Sequence, residues 1–304
     1  APGRPVFSVH DLRESPAAEV ERELARIRER KTHQKLAIED AQVIDVVVTL
    51  LPGRRSRLHL DIDMFGGDAM SYRVLTADLA ALYHGERVPE LEYTFREYRL
   101  RPPEDPAARE RDQRWWRDRL DSLPGAPSLP TVPVRDPEAA ARTIRLSQWF
   151  DGPRKAALFA AAQQRGITPA MAIATAFADV IGAWSGRSRF LLNVPLFQRE
   201  PVHPQIDQVI GDFSSSVMLA VDTCAGEGFV DRARALQRTM HESAAHSAYP
   251  GLDVLRDLGR HRAEPVLAPV VFTSAVNLGE LFSGTVTQTF GAPVSIISQG
   301  PQVL

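Results

Sequence analysis

The amino-acid sequence predicts an α/β (α+β) protein built as two lobes. Three observations lead there. Short β-branched or alternating runs are interleaved with stretches of helical period along the whole chain, the pattern of mixed architectures. The pattern breaks at one proline-rich passage, "LPGAPSLPTVPVRDP", and restarts beyond it. The 304 residues, 44% hydrophobic and 24% charged, suffice to fill two cores of ordinary composition.

Taken in order, residues 5–10 read as a strand and 16–31 as a charged amphipathic helix. A hairpin follows: "VIDVVVTL" (43–50) is β-branched and apolar, "LPGRRS" is turn chemistry, and "RLHLDIDM" (57–64) alternates. Leu58, Leu60 and Ile62 fall on one face of that second strand, and His59, Asp61 and Asp63 on the other. Tyr72, Leu75, Leu79, Leu82 and Tyr83 then recur at helical spacing, with Asp68 or Ser71 able to cap the helix. A helix at 110–120 leads into the proline-rich passage. Residues 121–140 read as a linker, because proline removes backbone donors and resists regular pairing, which sets the lobes at 1–133 and 134–304. Beyond it the sequence predicts a strand at 142–149, a helix at 152–165, an apolar helix at 169–184, a strand at 189–196, a proline-broken loop and a strand at 214–222. Helices near 229–245 and 251–260 follow, then strands near 268–276, 285–290 and 293–299.

A net charge of -2 implies no basic surface and gives no support to a nucleic-acid partner. Cys224 is the sole cysteine, so no intrachain disulfide can form and a cytoplasmic setting fits. The apolar run 169–184 is short for a membrane span and carries Asp179 in its middle, which makes it a core helix. The chain opens without Met and stops on the strand-like "SIISQGPQVL", so a segment of something longer is expected.

In "HLDIDMFGGD", Asp63 closes a strand on its polar face and Asp68 opens the next element, while Gly66 and Gly67 allow a sharp reversal and close approach. On the residues alone three readings stay open. One is a carboxylate in proton transfer. Another is a hard-metal site from Asp61, Asp63 and Asp68, although the spacing is not that of a calcium loop. The third is an N-cap at Asp68 with a salt bridge at Asp63 that fixes the turn. "HESAAH" separates His241 from His246 by five positions, about 140° around a helix of 3.6-residue repeat. A zinc-binding helix needs its histidines four apart. In "PVVFTSAV", Thr273 and Ser274 end a strand of buried type, so their hydroxyls need partners, either neighbouring backbone or a reaction channel. A phosphate-binding glycine loop and a G-x-S-x-G elbow are both absent from the sequence.

Six stretches in order over 63–304 together resemble the heterocyclization domains of nonribosomal peptide synthetases, the cyclizing relatives of condensation domains. "DMFGGDAMS" matches the D-x-x-x-x-D-x-x-S hallmark, and "WWRDRLDSLPGAPSLPTVP" is similar to the LP-x-x-P-x-LP segment. "TPAMAIATAFADVIGAW" resembles the T-P-rich helix, and "HPQIDQVIGDFSSSVML" the G-D-F-T segment, with Ser214 for Thr. "PVVFTSAV" matches P-V-V-F-T-S, and "SQGPQV" the start of S-Q-T-P-Q-V-x-L-D, with Gly300 for Thr. The Q-x-A-Y motifs are absent and the last motif breaks off at Leu304, so the domain is expected to be incomplete at both ends.

The resemblance implies a V-shaped, chloramphenicol-acetyltransferase-like fold with a tunnel between its lobes. It also implies that an acyl thioester on one carrier is attacked by the amine of Cys, Ser or Thr on another, and that the side chain then closes a thiazoline or oxazoline with loss of water. Partners implied are upstream and downstream peptidyl or aryl carrier proteins, bearing 4′-phosphopantetheine, and an adjacent adenylation domain, with no metal, nucleic acid or membrane. Condensation domains carry two histidines where Ile62 and Asp63 stand here. By the resemblance, Asp63 and Asp68 organise the tunnel floor by charge pairing with an arginine or handle protons, and Thr273 assists dehydration. Ser71, Asp212, Phe272, Ser274 and Gln302 are expected along the tunnel. Two other readings are a degenerate carrier-docking scaffold, suggested by Gly300 and the missing tail, and a plain condensation domain.

Overall fold

The computed structural model describes residues 6–102, 105–131, 144–197, 199–276 and 279–297. A first sheet contains β1 (Val6–Asp11), β2 (Ile44–Leu51) and β3 (Arg55–Ile62) in that order. β1 is parallel to β2, which requires a crossover, and α1 (Ala17–His33) supplies it. β2 and β3 form the expected antiparallel hairpin, closed by Pro52, Gly53 and Arg54, of which Gly53 and Arg54 are left-handed at φ 73° and 58°. α2 (Ala69–Tyr83) follows, capped by Asp68. The short α3 (Phe95–Leu100) escaped the periodicity reading, yet "TFRE" encodes it as a capping box: Thr94 accepts from the Glu97 N–H and Glu97 reaches back to the Thr94 N–H.

A second sheet pairs β4 (Arg189–Phe197) antiparallel with β5 (Ser214–Asp222). Its strands are buried on both faces, and the alternation of side chains sorts them into two cores. Phe190, Leu192, Val194, Val217, Leu219 and Val221 meet α6 (Pro169–Ser185) and α7 (Phe229–Ala245). Leu191 and Met218 on the opposite face meet Trp116 of α4 (Ala108–Arg117) and Val254 and Leu258 of α8 (Gly251–Arg262). Each such aliphatic side chain contributes about 1.5–3 kcal/mol on burial. α5 (Gly152–Gln163) packs on α6 from outside. Asp179, the acid inside the apolar helix, pairs with Arg232 of α7 at 2.8 Å. No helix among the described residues is long and apolar enough to cross a membrane.

The chain has joined the second sheet before its proline-rich passage ends: Leu123 is buried in that core, and the Gly125 carbonyl accepts from the Leu191 N–H at 2.8 Å. The expected boundary at 133/134 lies outside the described residues. Near its far end the chain returns to the first sheet's side, where α9 (Gly284–Phe290) packs on α2 through Tyr83 and Phe290, 6.0 Å apart.

Four expected strands are corrected. Residues 144–149 of the run placed at 142–149 find no ladder partner among the described residues, and Ile144, Leu146 and Trp149 stand 83, 91 and 84% exposed. Of 268–276, only Val271 makes a bridge, parallel to Asn193: the Asn193 N–H donates to Val270 O and the Phe272 N–H to Asn193 O, one rung rather than a ladder. Residues 285–290 are helix α9, because Ser283 caps the turn, accepting from the Val286 N–H at 3.3 Å, and packing on α2 overrides β-branched propensity. Residues 293–297, the described part of the run placed at 293–299, form no strand.

Candidate active site

Asp63 stands one residue beyond β3. Its N–H donates to the Val43 carbonyl at 2.9 Å, and its Oδ1 accepts from the Phe65 N–H at 3.0 Å, so the side chain closes a tight local turn. Neither Gly66 nor Gly67 takes a left-handed φ. They serve close approach: a Cβ on Gly66 would meet Val43 Cβ at 3.0 Å, and one on Gly67 would meet Ser71 Cβ at 2.6 Å.

Asp68, 2% exposed, has a different job. Its Oδ1 accepts from the Ser71 N–H at 2.8 Å, which caps α2, and from Arg199 Nη2 at 2.9 Å. Arg199 lies in the loop after β4, so this ion pair ties the two halves of the chain together. The same guanidinium donates through Nη1 to the carbonyls of Ile206 and Val209, at 3.1 and 2.7 Å, and stacks over the Phe213 ring at 4.3 Å. Ser71 completes the junction. Its Oγ accepts from the Gly211 N–H at 3.0 Å and lies 2.9 Å from the Gly211 carbonyl and 2.8 Å from Asp68 Oδ1, sharing its single proton between these acceptors. The Asp68 N–H also donates to the Gly211 carbonyl, at 3.1 Å. Arg199 is the arginine that the sequence left unnamed. The signal was thin: a cation just past a buried apolar strand.

An open cavity of about 2750 Å³ runs between the two halves. Its lining includes Asp61, Asp63, Asp68 and Tyr72 from the first half of the chain and Asn193, Ser214, Ser216 and Thr273 from the second. Thr273 is exposed into it, next to the single rung that Val271 makes with Asn193. The structure thus brings Asp63, Asp68 and Thr273 to one space. None of the other described candidates lines it. Ser71 is buried in the junction. Asp212 accepts from the N–H and hydroxyl of Ser214, fixing the start of β5. Phe272 is buried in the core against α6, 5.7 Å from the Phe177 ring. Ser274 accepts from the Val276 N–H at 3.5 Å, a local contact. Gln302 is outside the described residues. His246 of the "HESAAH" pair stacks on Trp115, with ring centroids 4.0 Å apart.

A family model for the condensation domain matches residues 7–293. Among curated proteins, the phenyloxazoline synthase MbtB of Mycolicibacterium paratuberculosis is 55% identical over 304 residues, covering 98% of this chain and 26% of that protein. The pyochelin synthetase PchE of Pseudomonas aeruginosa is 36% identical, covering 98% of this chain and 21% of that protein. The chain therefore spans about a quarter of the length of these relatives. Among solved structures, the EpoB cyclization-docking bidomain of a nonribosomal peptide synthetase from Sorangium cellulosum superposes with a TM-score of 0.78 at 31% identity, over 96% of this chain and 60% of that one. The nonribosomal peptide synthetase FmoA3 superposes at 0.79 and 32% identity, over 100% of this chain and 31% of that one.

Proposed function

Since the chain belongs to the condensation-domain family, we propose that it performs heterocyclization within a nonribosomal peptide synthetase. An acyl donor and a Cys, Ser or Thr acceptor arrive as thioesters on the 4′-phosphopantetheine arms of two carrier proteins, with an adenylation domain loading the acceptor, in the cytoplasm. The amine attacks the thioester, expelling the donor thiol. The acceptor's side chain then adds to the new amide carbonyl, and loss of water gives a thiazoline or oxazoline.

The observation that carries this reading is the shared cavity, lined by both Asp63 and Thr273, with the buried Asp68–Arg199 pair at its border. The first step runs downhill and needs alignment of the two tethered arms, which a cleft between two halves supplies. The second needs a group to help the hydroxyl leave and one to accept the amide proton. Asp63 occupies the turn where condensation domains carry histidine base chemistry, and Thr273 offers a hydroxyl into the cavity. Asp68, committed to Arg199, holds the cavity's floor. The relatives named as a phenyloxazoline synthase and a cyclization bidomain support the ring-forming reaction over plain condensation.

The test supplies the intact synthetase with a loaded donor carrier and a seryl or cysteinyl carrier, and weighs the product. A product lighter than the linear amide by one water is expected. The linear amide alone would mean plain condensation, and unchanged substrates would mean a docking scaffold.

A further inference from the structure

Where the first sheet meets the end of α1, Asp45 of β2 and Asp61 of β3 stand directly opposite each other across the ladder. Like charges so placed destabilise a sheet, and the cation beside them, Lys31, pairs with only one of the two. Lys31 Nζ donates to Asp45 Oδ2 at 2.8 Å and is 8% exposed. Asp61 has no ion-pair partner among the described residues. It is held by Gln34, whose Nε2 donates to Asp45 Oδ2 at 2.9 Å and to Asp61 Oδ2 at 2.5 Å, one hydrogen to each. The groups that face Asp61 are thus Lys31 and Gln34 from the end of α1, Asp45 from β2, Asp63 beyond β3 and Tyr72 from α2. Tyr72 is neutral and fixed, donating to the Ile62 carbonyl at 2.8 Å; burial, then Asp61 and Asp63, push its hydroxyl up to about 12. Asp61 lines the reaction cavity, and none of the capping or ion-pair work done by Asp63 and Asp68 falls to it.

We infer that Asp61 is a proton-exchanging carboxyl of this cavity, and that Gln34, Asp45 and Lys31 are its positioning residues. The pairing explains the division of labour: Lys31 fixes Asp45 as the carboxylate, and the opposed Asp61 keeps a proton more readily. Burial raises its carboxyl above the ordinary range, with Asp45 and Asp63 adding to that and Gln34 and Lys31 opposing it. This rests on, and deepens, the heterocyclization reading. In the dehydration step the Asp61 acid gives its proton to the ring hydroxyl, the C–O bond breaks and water leaves. The ring nitrogen releases its proton as the C=N bond forms, and that proton restores the carboxyl. The step loses one water, and neither an oxidant nor a net proton is required.

The test measures linear amide and ring product separately in the intact synthetase across pH. Asp61→Asn is expected to lower ring formation about a hundredfold more than amide formation, with partial recovery in Asp61→Glu. Lys31→Met is expected to move the alkaline limb of ring formation to higher pH, a shift that a purely structural role would not produce. Carbon NMR of aspartate-labelled protein, parent against Asp61→Asn, reads the carboxyl directly and should place it above the ordinary aspartate range. Ring formation by Asp61→Asn at the parent rate, equal loss of both steps, or a carboxyl titrating in or below the ordinary range overturns the inference. Linear amide from the parent itself would sink the heterocyclization reading instead, and the NMR titration would still judge Asp61.

Discussion

Arg199 donates to Asp68 at 2.9 Å, joining the loop after β4 to the first turn of α2, and the two side chains are only 6% and 1% exposed. A pair so shut off from water is costly to break from one side, because the remaining charge loses its partner without regaining solvent.

Arg199→Met is therefore expected to destabilise the protein by about 3–5 kcal/mol, read from urea unfolding. Adding Asp68→Asn should recover part of that loss, since asparagine caps a helix as well as aspartate and carries no charge to strand. A double-mutant cycle gives the coupling. A double variant weaker than Arg199→Met alone would contradict the pairing.

Gly67→Ala puts a methyl group 2.6 Å from Ser71 Cβ and 3.0 Å from its Oγ. The junction built on Ser71 must shift, and overpacking of this kind costs about 1–3 kcal/mol. Gly66→Ala meets the Val43 side chain at 3.0–3.1 Å and the Asp63 carbonyl at 3.2 Å, contacts that need smaller shifts than 2.6 Å does. Thermal melting should rank Gly67→Ala below Gly66→Ala, and the ring yield should follow the same order.

Thr273→Ala removes the hydroxyl from the cavity wall without touching the buried Phe272 beside it. Ring closure should fall on the order of a hundredfold, the scale of one lost transition-state hydrogen bond, while linear amide accumulates. Equal loss of both products would assign Thr273 to substrate binding.

His59 lies on the first sheet with its Nε2 buried and unpartnered among the described residues. Burial first, then Lys31 and Arg57, push its imidazole from 6.5 down to about 4. Between those values the unfolded chain binds a proton that the folded one refuses. Stability is thus intact above pH 6.5 and declines as pH falls towards 4. Asp45, held low by Lys31 and Gln34 against its burial, adds its loss only below the ordinary aspartate value of 3.8. His59→Phe should flatten the change in urea midpoint between pH 7 and pH 5.

Where the physics is local, the sequence was readable. β5, α6 and α7 match their expected bounds closely because apolar period and caps agree over long runs, as in Thr168 before Pro169 and Gly186 after Ser185. Residues 285–290 misled because "TVTQTF" has strand chemistry and its helix depends on α2, more than 200 residues upstream. The site divides in the same way. The capping role of Asp68 was visible from its place before a helix. Arg199 was not, since nothing local marks a partner 131 residues away. Asp61 appeared only as one of three acids. That it opposes Asp45 and shares Gln34 with it depends on strand register and on where α1 ends.

α2 is gripped at both ends. Asp68 and Ser71 anchor its start to Arg199 and Gly211, while Tyr83 and His84 at its finish meet Phe290 and Thr289. Fifteen residues make a rod of about 22 Å, so its two moorings are too far apart to act as a single pivot point. Loss of either mooring would therefore leave the helix tethered at its opposite end.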